Sequence, residues 1–221
     1  MLRADLHLHT RYSYDASSSL RAIVDKCQKS GITCVAITDH NEIEGALALQ
    51  ALAPFKVIVG EEVRTTQGDI IGFYLRSRIP PKLSPAETIA EIRSQGGIVY
   101  LPHPFADDRS ENFSRTYVEE ILPQVDVLEV FNGRTLNPRA NALALAAARS
   151  GGLVQGAGSD AHTPFEIGRT YVEMAEFNSA SEFLESLRKA RLHAERTPYL
   201  LRVTMNRFAR KALRKFSPVE S

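Results

Sequence analysis

The chain carries almost no net charge, with 27 Lys and Arg against 26 Asp and Glu in 221 residues. That balance argues against bulk nucleic-acid binding and against a disordered acidic chain. No run of about 18 apolar residues occurs, which excludes an ordinary membrane-spanning helix. The first strand pattern starts directly, without a charged segment, an apolar stretch and a cleavage site, so the expectation is a cytoplasmic protein. Cysteine is scarce: Cys27 and Cys34 lack the spacing of a zinc ribbon or a redox pair and read as buried structural thiols. No internal repeat or low-complexity tract appears, which excludes solenoid and fibrous architectures. At this length the chain can bury a substantial core without staples, and one main domain is expected.

What is present is an alternation of short β-rich runs with helical patterns. Strands are predicted at about 3–8, 33–38, 56–62, 69–75, 97–103, 125–131, 153–158 and 169–174. Helices are predicted at about 19–30, 43–52, 85–95, 115–122, 137–150 and 179–190, several opening on Ser, Thr or Asn and closing on Gly. Segment 56–75 breaks the alternation and reads as a hairpin turning at TTQGD. Such units imply a mainly parallel sheet, either open and doubly wound or closed into a barrel.

Histidine is also rare, yet its placement is not scattered. Of six histidines, His7, His9, His40, His103 and His162 stand at or just past the C-terminal end of a predicted strand; His193 does not. His7 and His9 are two apart at the end of the first strand, so their side chains share a face. Acids keep the same company: Asp15, Asp39, Glu61, Glu62, Glu129 and Asp160. A closed barrel would bring these ends into one mouth, where so many ionisable groups would be costly to bury without a cation. Imidazoles and carboxylates without thiolate suit Zn²⁺, Mn²⁺ or Fe²⁺.

These residues carry a family resemblance. DLHLHT followed by SYD, then ITDH, GEE, LPHP and GSDAH, resemble in order and spacing the successive motifs of the PHP (polymerase and histidinol phosphatase) metal-dependent phosphoesterases, over residues 1 to about 175. The resemblance implies a distorted (β/α)₇ TIM-like barrel with two or three divalent transition metals at its C-terminal mouth. Members of that family include histidinol-phosphate phosphatases, nucleotide and oligonucleotide phosphoesterases, and polymerase-associated exonuclease domains. Residue by residue, it implies metal ligation by His7, His9, Asp15, His40, Glu62, His103, Asp160 and His162. Asp69 stands where many relatives carry a further histidine ligand; it could bind metal, or the site could hold one metal fewer. Asp39 is expected behind an imidazole, orienting it.

The implied chemistry is phosphate-ester hydrolysis, in which two metals clamp an in-line displacement. It calls for cations on the remaining phosphate oxygens. Arg134, in FNGR just past a strand, is the first choice; Arg11 and Arg109 are weaker ones, and Arg169 reads as a structural pairing residue. Beyond the barrel at 1–195, residues 196–221 read as a basic C-terminal helix and tail, with six Lys/Arg and no acid in 202–215. Packing on the barrel, facing nucleic acid or substrate, and binding a membrane surface or partner are the readings of that segment. The expected substrate is a small phosphorylated metabolite or nucleotide. A nuclease acting on short oligonucleotides and a catalytically silent metal-binding module acting through the tail are the alternatives.

Overall fold

The computed structural model describes residues 1–107 and 113–200. Its elements are β1 (Leu2–Leu8), α1 (Leu20–Ser30), β2 (Cys34–Ile37), α2 (Glu44–Leu52), β3 (Lys56–Arg64), β4 (Asp69–Phe73), α3 (Pro85–Ser94), β5 (Ile98–Leu101), α4 (Arg115–Ile121), β6 (Val127–Asn132), α5 (Pro138–Gly151), β7 (Val154–Gly158), β8 (Thr170–Met174), α6 (Ala180–Arg188) and β9 (Arg191–Ala194). Helix boundaries follow the capping residues. The side chains of Ser19, Ser84, Ser114, Asn137 and Ser179 each accept a backbone N–H of the first turn. Gly31 and Gly152 close α1 and α5 in the left-handed conformation.

The strands form one sheet in the order β7-β6-β5-β4-β3-β2-β1-β8-β9. Its pairing departs from the mainly parallel expectation. β1-β2-β3 and β5-β6-β7 are parallel, but the hairpin β3-β4, its neighbour β5, and the pairs β1-β8 and β8-β9 are antiparallel. Two parallel blocks are thus joined through an inverted strand. The ninth strand, RLHA, was not expected from the sequence: it is a largely exposed edge strand, and four residues are too few for its alternation to stand out. His193 lies on it, stacked on Tyr171, away from the other five histidines.

The sheet curls until its ends nearly meet. The first half of β1 pairs with β8 (Leu2 with Met174, Ala4 with Val172), while its second half approaches β7: Asp160 N donates to His7 O at 2.8 Å and His9 N to Ala161 O at 2.9 Å. Closure on this side requires a glycine. A Cβ on Gly158 would lie 2.2 Å from His7 Cβ.

Two apolar layers hold the curl in place. Outside, Ile23, Leu49, Ile92 and Val118 of the helices pack on Val35, Ile37, Val99 and Leu101 of the strands. The second layer joins Leu6, Ala36, Ile71, Phe73 and Tyr100 to Phe183 and Leu187 of α6. Cys27 and Cys34 are buried in these layers, and burial pushes both thiols up to about 12, as inert packing residues. Tyr100 marks the boundary with the polar mouth, where its hydroxyl donates to Glu129. Among the described residues no helix is long and apolar enough to cross a membrane.

Candidate metal centre

β1 delivers His7 and His9 fully buried, with their Nε2 atoms 3.1 Å apart. The other parallel strands bring their ends to the same place. His40 follows β2, Glu62 sits within β3, His103 follows β5, and Asp160 and His162 follow β7. Ring centroids of His9 lie 4.5 Å from His40 and 4.3 Å from His162, and those of His7 and His103 are 5.7 Å apart. Five histidines predicted to converge do so.

Glu62 is the hub. Its Oε1 lies 3.0 Å from His103 Nε2, and its Oε2 lies 3.1 Å from His40 Nδ1 and 3.4 Å from Nε2 of both His7 and His9. Asp160 Oδ1 faces His9 Nε2 at 3.4 Å, His7 Nε2 at 3.7 Å and His162 Nδ1 at 3.4 Å. Asp15, at the rim and 31% exposed, faces His162 Nε2 at 3.1 Å and His40 Nε2 at 3.6 Å. Three sets of donor atoms are compact enough to hold an ion: His9/His40/His162, His7/Glu62/His103 and His7/His9/Asp160. Eight of the nine residues proposed as ligands therefore lie in one network.

The hydrogen bonds behind the imidazoles decide which nitrogen faces the cup. Asp39 accepts from Thr10 N, Thr10 Oγ1 and Ser13 Oγ at 2.7–2.8 Å. Ser13 has one proton and gives it to that carboxylate, so it must accept from His9 Nδ1 at 3.0 Å, as it does from His40 N. His9 then turns the lone pair of Nε2 inward. The same logic fixes His7, whose Nδ1 faces Glu129 Oε1 at 3.1 Å, and His162, whose Nδ1 faces the Asp160 carbonyl at 2.9 Å. Asp39 was expected behind an imidazole, and its contact with Ser13 puts it one hydrogen bond behind His9. A Cβ on Gly45 would lie 2.1 Å from Asp39 Oδ2, so the start of α2 leaves room for this network.

Electrostatics agree with a cation site. Burial pushes His7 down, but the charges of Asp160, Glu129 and Glu62 outweigh it and raise His7 well above the usual imidazole range. His40 is likewise carried up to about 9 against burial, by Glu62 and Asp15. His9 is held well below its ordinary value, first by burial and then by His162 and His40. Burial opposes the ionised form of Glu62, yet His40 and His7 keep its carboxyl well below the usual range. Glu62 Oε2 is buried and accepts no hydrogen bond of good geometry, despite three ring nitrogens at 3.1–3.4 Å. Lone pairs converging on a space lined by carboxylate oxygens fit a divalent transition metal. Backbone geometry adds to the case: His103 and Asp160 hold positive φ, at 29° and 53°.

Asp69 is placed differently. It lies near enough for the charge of Glu62 to help burial raise it to about 6, but both its oxygens are engaged by Arg64. Arg134 is held at the mouth by its backbone N–H on Asn132 Oδ1 and by its Nε, 3.3 Å from Glu166 Oε1. Arg11 is exposed. Arg109 and segment 202–215 lie outside the described residues. Arg169 pairs with Glu195, the structural role expected of it.

Four residues in contact with the cluster escaped the sequence reading. Glu129, noted only as a strand-end acid, also accepts from His103 N at 2.7 Å and Asn132 Nδ2 at 3.0 Å; a carboxylate within the apolar strand VLEVF was its signal. Ser13 and Glu166 gave none, because their roles arise from contacts across the fold. Tyr14, 76% exposed and stacked on His40 with centroids 5.1 Å apart, was lost in a polar loop.

Known proteins match this architecture. At the level of fold, the chain is similar to PsfC from Pseudomonas syringae PB-5123 (TM-score 0.69, 18% identity, 96% of this chain and 100% of that one). It is also similar to a candidate metal-dependent phosphoesterase from Bifidobacterium adolescentis (TM-score 0.61, 17% identity, 89% and 97%) and to an amidohydrolase from Chromobacterium violaceum with bound sulfate and no metal (TM-score 0.58, 18% identity, 74% and 88%). In sequence it is 37% identical over 157 residues to the uncharacterised protein MJ1587 of Methanocaldococcus jannaschii, covering 65% of this chain and 90% of that one. It is 34% identical over 198 residues to MJ0417 of the same organism, covering 85% and 79%. Residues 138–192 match the model of a PHP-associated region, and residues 5–155 match that of the PHP domain. The chain belongs to the PHP domain family.

Proposed function

We propose that the chain is a metal-dependent phosphoesterase acting on a small phosphorylated metabolite or nucleotide. The observation that carries this reading is the meeting of His7 Nε2 and His9 Nε2, 3.1 Å apart, with a carboxylate oxygen of Glu62 at 3.4 Å from each. The sets that would hold ions are His7, His9 and Asp160; His7, Glu62 and His103; and His9, His40 and His162, with Asp15 facing the last of them from the rim. Bound divalent cations would lower the pKa of water and offset charge developing on phosphoryl oxygens. Zn, Mn and Fe all suit these donors.

The protein's own groups do the rest. Asp39 through Ser13, and Glu129 directly, keep the Nε2 lone pairs of His9 and His7 pointing inward. Arg134 offers a planar cation with two or more N–H groups for the phosphate oxygens that metals leave uncovered. A phosphate ester is favoured over an amide by that cation. Replacing His7, His40 or Asp160 by Ala should abolish metal-dependent hydrolysis of p-nitrophenyl phosphate. Full retention of activity in all three variants would refute the assignment.

A second reading, a nuclease on short oligonucleotides, has one observation in its favour. Thr197 N donates to Gly133 O at 2.9 Å and Arg196 Nη1 to Leu136 O at 3.1 Å, so the chain passes beside the Arg134 loop just before the basic segment begins. Removing residues 202–221 should then impair oligonucleotide cleavage more than p-nitrophenyl phosphate cleavage. A metal-loaded protein that turns over no phosphoester would instead favour the silent binding module.

A further inference from the structure

The least explained acid at the mouth is Glu166, in the short 3₁₀ turn Pro164–Glu166. It is 1% exposed, and a carboxylate buried that deeply is unfavourable unless it is paired and hydrogen-bonded. Its two oxygens have separate tasks. Oε2 accepts from His162 N at 3.0 Å, Thr163 N at 2.9 Å and Thr163 Oγ1 at 3.0 Å. Oε1 faces the Nε of Arg134 at 3.3 Å, and the Arg134 side chain is itself only 11% exposed. Glu166 thus joins the backbone of one proposed metal ligand to the proposed phosphate cation.

The other end of Arg134 is tied to the same strand end. Asn132 Oδ1 accepts from Arg134 N at 2.9 Å and Thr135 N at 3.1 Å, while Asn132 Nδ2 donates to Asp160 Oδ2 at 3.2 Å. The backbone of Arg134 is therefore tied to Asp160 through Asn132, and its side chain is paired with Glu166, which is tied to His162. Both anchors are in the GSDAH segment. The Nε–Oε1 contact is a buried ion pair, not a hydrogen bond of good geometry, and a carboxylate held by three other donors biases where the guanidinium lies.

We infer that Glu166 is a positioning residue that holds Arg134 in register with Asp160 and His162, so that the cation meets a phosphate already held at the metals. The inference rests on the phosphoesterase reading and adds a residue to it. Glu166 touches neither substrate nor metal and acts through Arg134.

The test measures inorganic phosphate binding by calorimetry to the metal-loaded full chain, in wild type, E166Q, R134A and the double variant, with bound metal counted in each. E166Q should weaken phosphate binding on the order of ten-fold. R134A should weaken it at least as much, and the double variant should be no worse than R134A. Bound metal should stay at the wild-type count. A purely structural Glu166 would lower the melting temperature and perturb metal loading at His162 while leaving phosphate affinity per loaded site unchanged, which would overturn the inference. So would losses from E166Q and R134A that multiply in the double variant. If E166Q melts too low to assay, E166D, which withdraws the carboxylate by one methylene, should show a smaller loss of the same kind, and wild-type affinity in E166D would overturn it. A wild-type protein that loads metal but binds no phosphate would overturn the phosphoesterase reading and this inference together. Wild-type binding retained in full by E166Q would overturn the inference alone.

Discussion

The Nε2 atoms of His7 and His9 stand 3.1 Å apart, each 3.4 Å from Glu62 Oε2, so three polar atoms converge on one buried point that a cation would hold together. Metal is the economical agent. Because Glu62, Asp160 and Asp15 hold His7 and His40 in their protonated range, a cation entering at neutral pH must displace those protons. Metal loading at pH 7 should therefore release protons, and metal affinity should rise with pH up to about 9, where His40 loses its proton unaided. Calorimetric titrations in buffers of different ionisation enthalpy would check this; metal uptake without proton release would contradict it.

The arrangement Asp39–Ser13–His9 predicts an effect on metal without any direct contact. In S13A, the His9 ring loses the acceptor that fixes its Nδ1 proton. Metal affinity should fall by about 10–100-fold, the usual cost of losing a partner behind a ligand. G45A should act in the same direction, since the added methyl occupies the place of Asp39 Oδ2. A competition assay with a metal chelator measures both, and unchanged affinity in S13A would remove Asp39 from the proposed machinery.

Glu61 makes a prediction about stability. Burial raises its carboxyl from 4.5 to about 7, against the hydrogen bond it accepts from Ile79 N at 2.8 Å, and its Oε1 is buried without a partner. An acid whose folded pKa lies above its unfolded one binds its proton more tightly when folded. Its contribution to stability is therefore complete below about 4.5 and declines as pH rises to about 7. The full decline is on the order of 3 kcal/mol. E61Q cannot ionise, so its melting temperature should gain on that of wild type across this interval and hold the gain above it. Parallel pH profiles for the two proteins would instead mean that the Glu61 carboxyl ionises alike in the folded and unfolded states, and would sink the prediction.

The features legible in the sequence were those with local signatures. Caps such as Ser84 and Gly31 marked helix ends, and the strand-end positions of five histidines announced the cup before any strand was paired. The less legible ones depend on registration between distant strands. Ser13 and Asp39 are 26 residues apart, and His7 and Glu129 are 122 apart; neither pair has a spacing motif. The inverted β4 was visible as a hairpin, but its second neighbour was not, because the residues joining β4 to β5 include a whole helix that could have returned the chain in either direction. β9 is four residues long and mostly exposed, with only Leu192 packed on the core and His193 on Tyr171, too short a pattern to announce a strand.

Asp69 offers the sharpest remaining division between a ligand and a bystander. Arg64 engages both of its oxygens, and a carboxylate so occupied has less electron density to give a metal. Removing it should leave the number of bound ions unchanged. The cost should instead appear in stability, since Arg64, 25% exposed, would lose this ion pair. A loss of about 1–2 kcal/mol is expected for D69A, less than for a fully buried pair because water can reach the guanidinium. Elemental analysis beside a denaturant titration separates the outcomes. If D69A binds one metal fewer with unaltered apo-protein stability, then Asp69 is a ligand and the Arg64 contact is its alternative partner when the metal is absent.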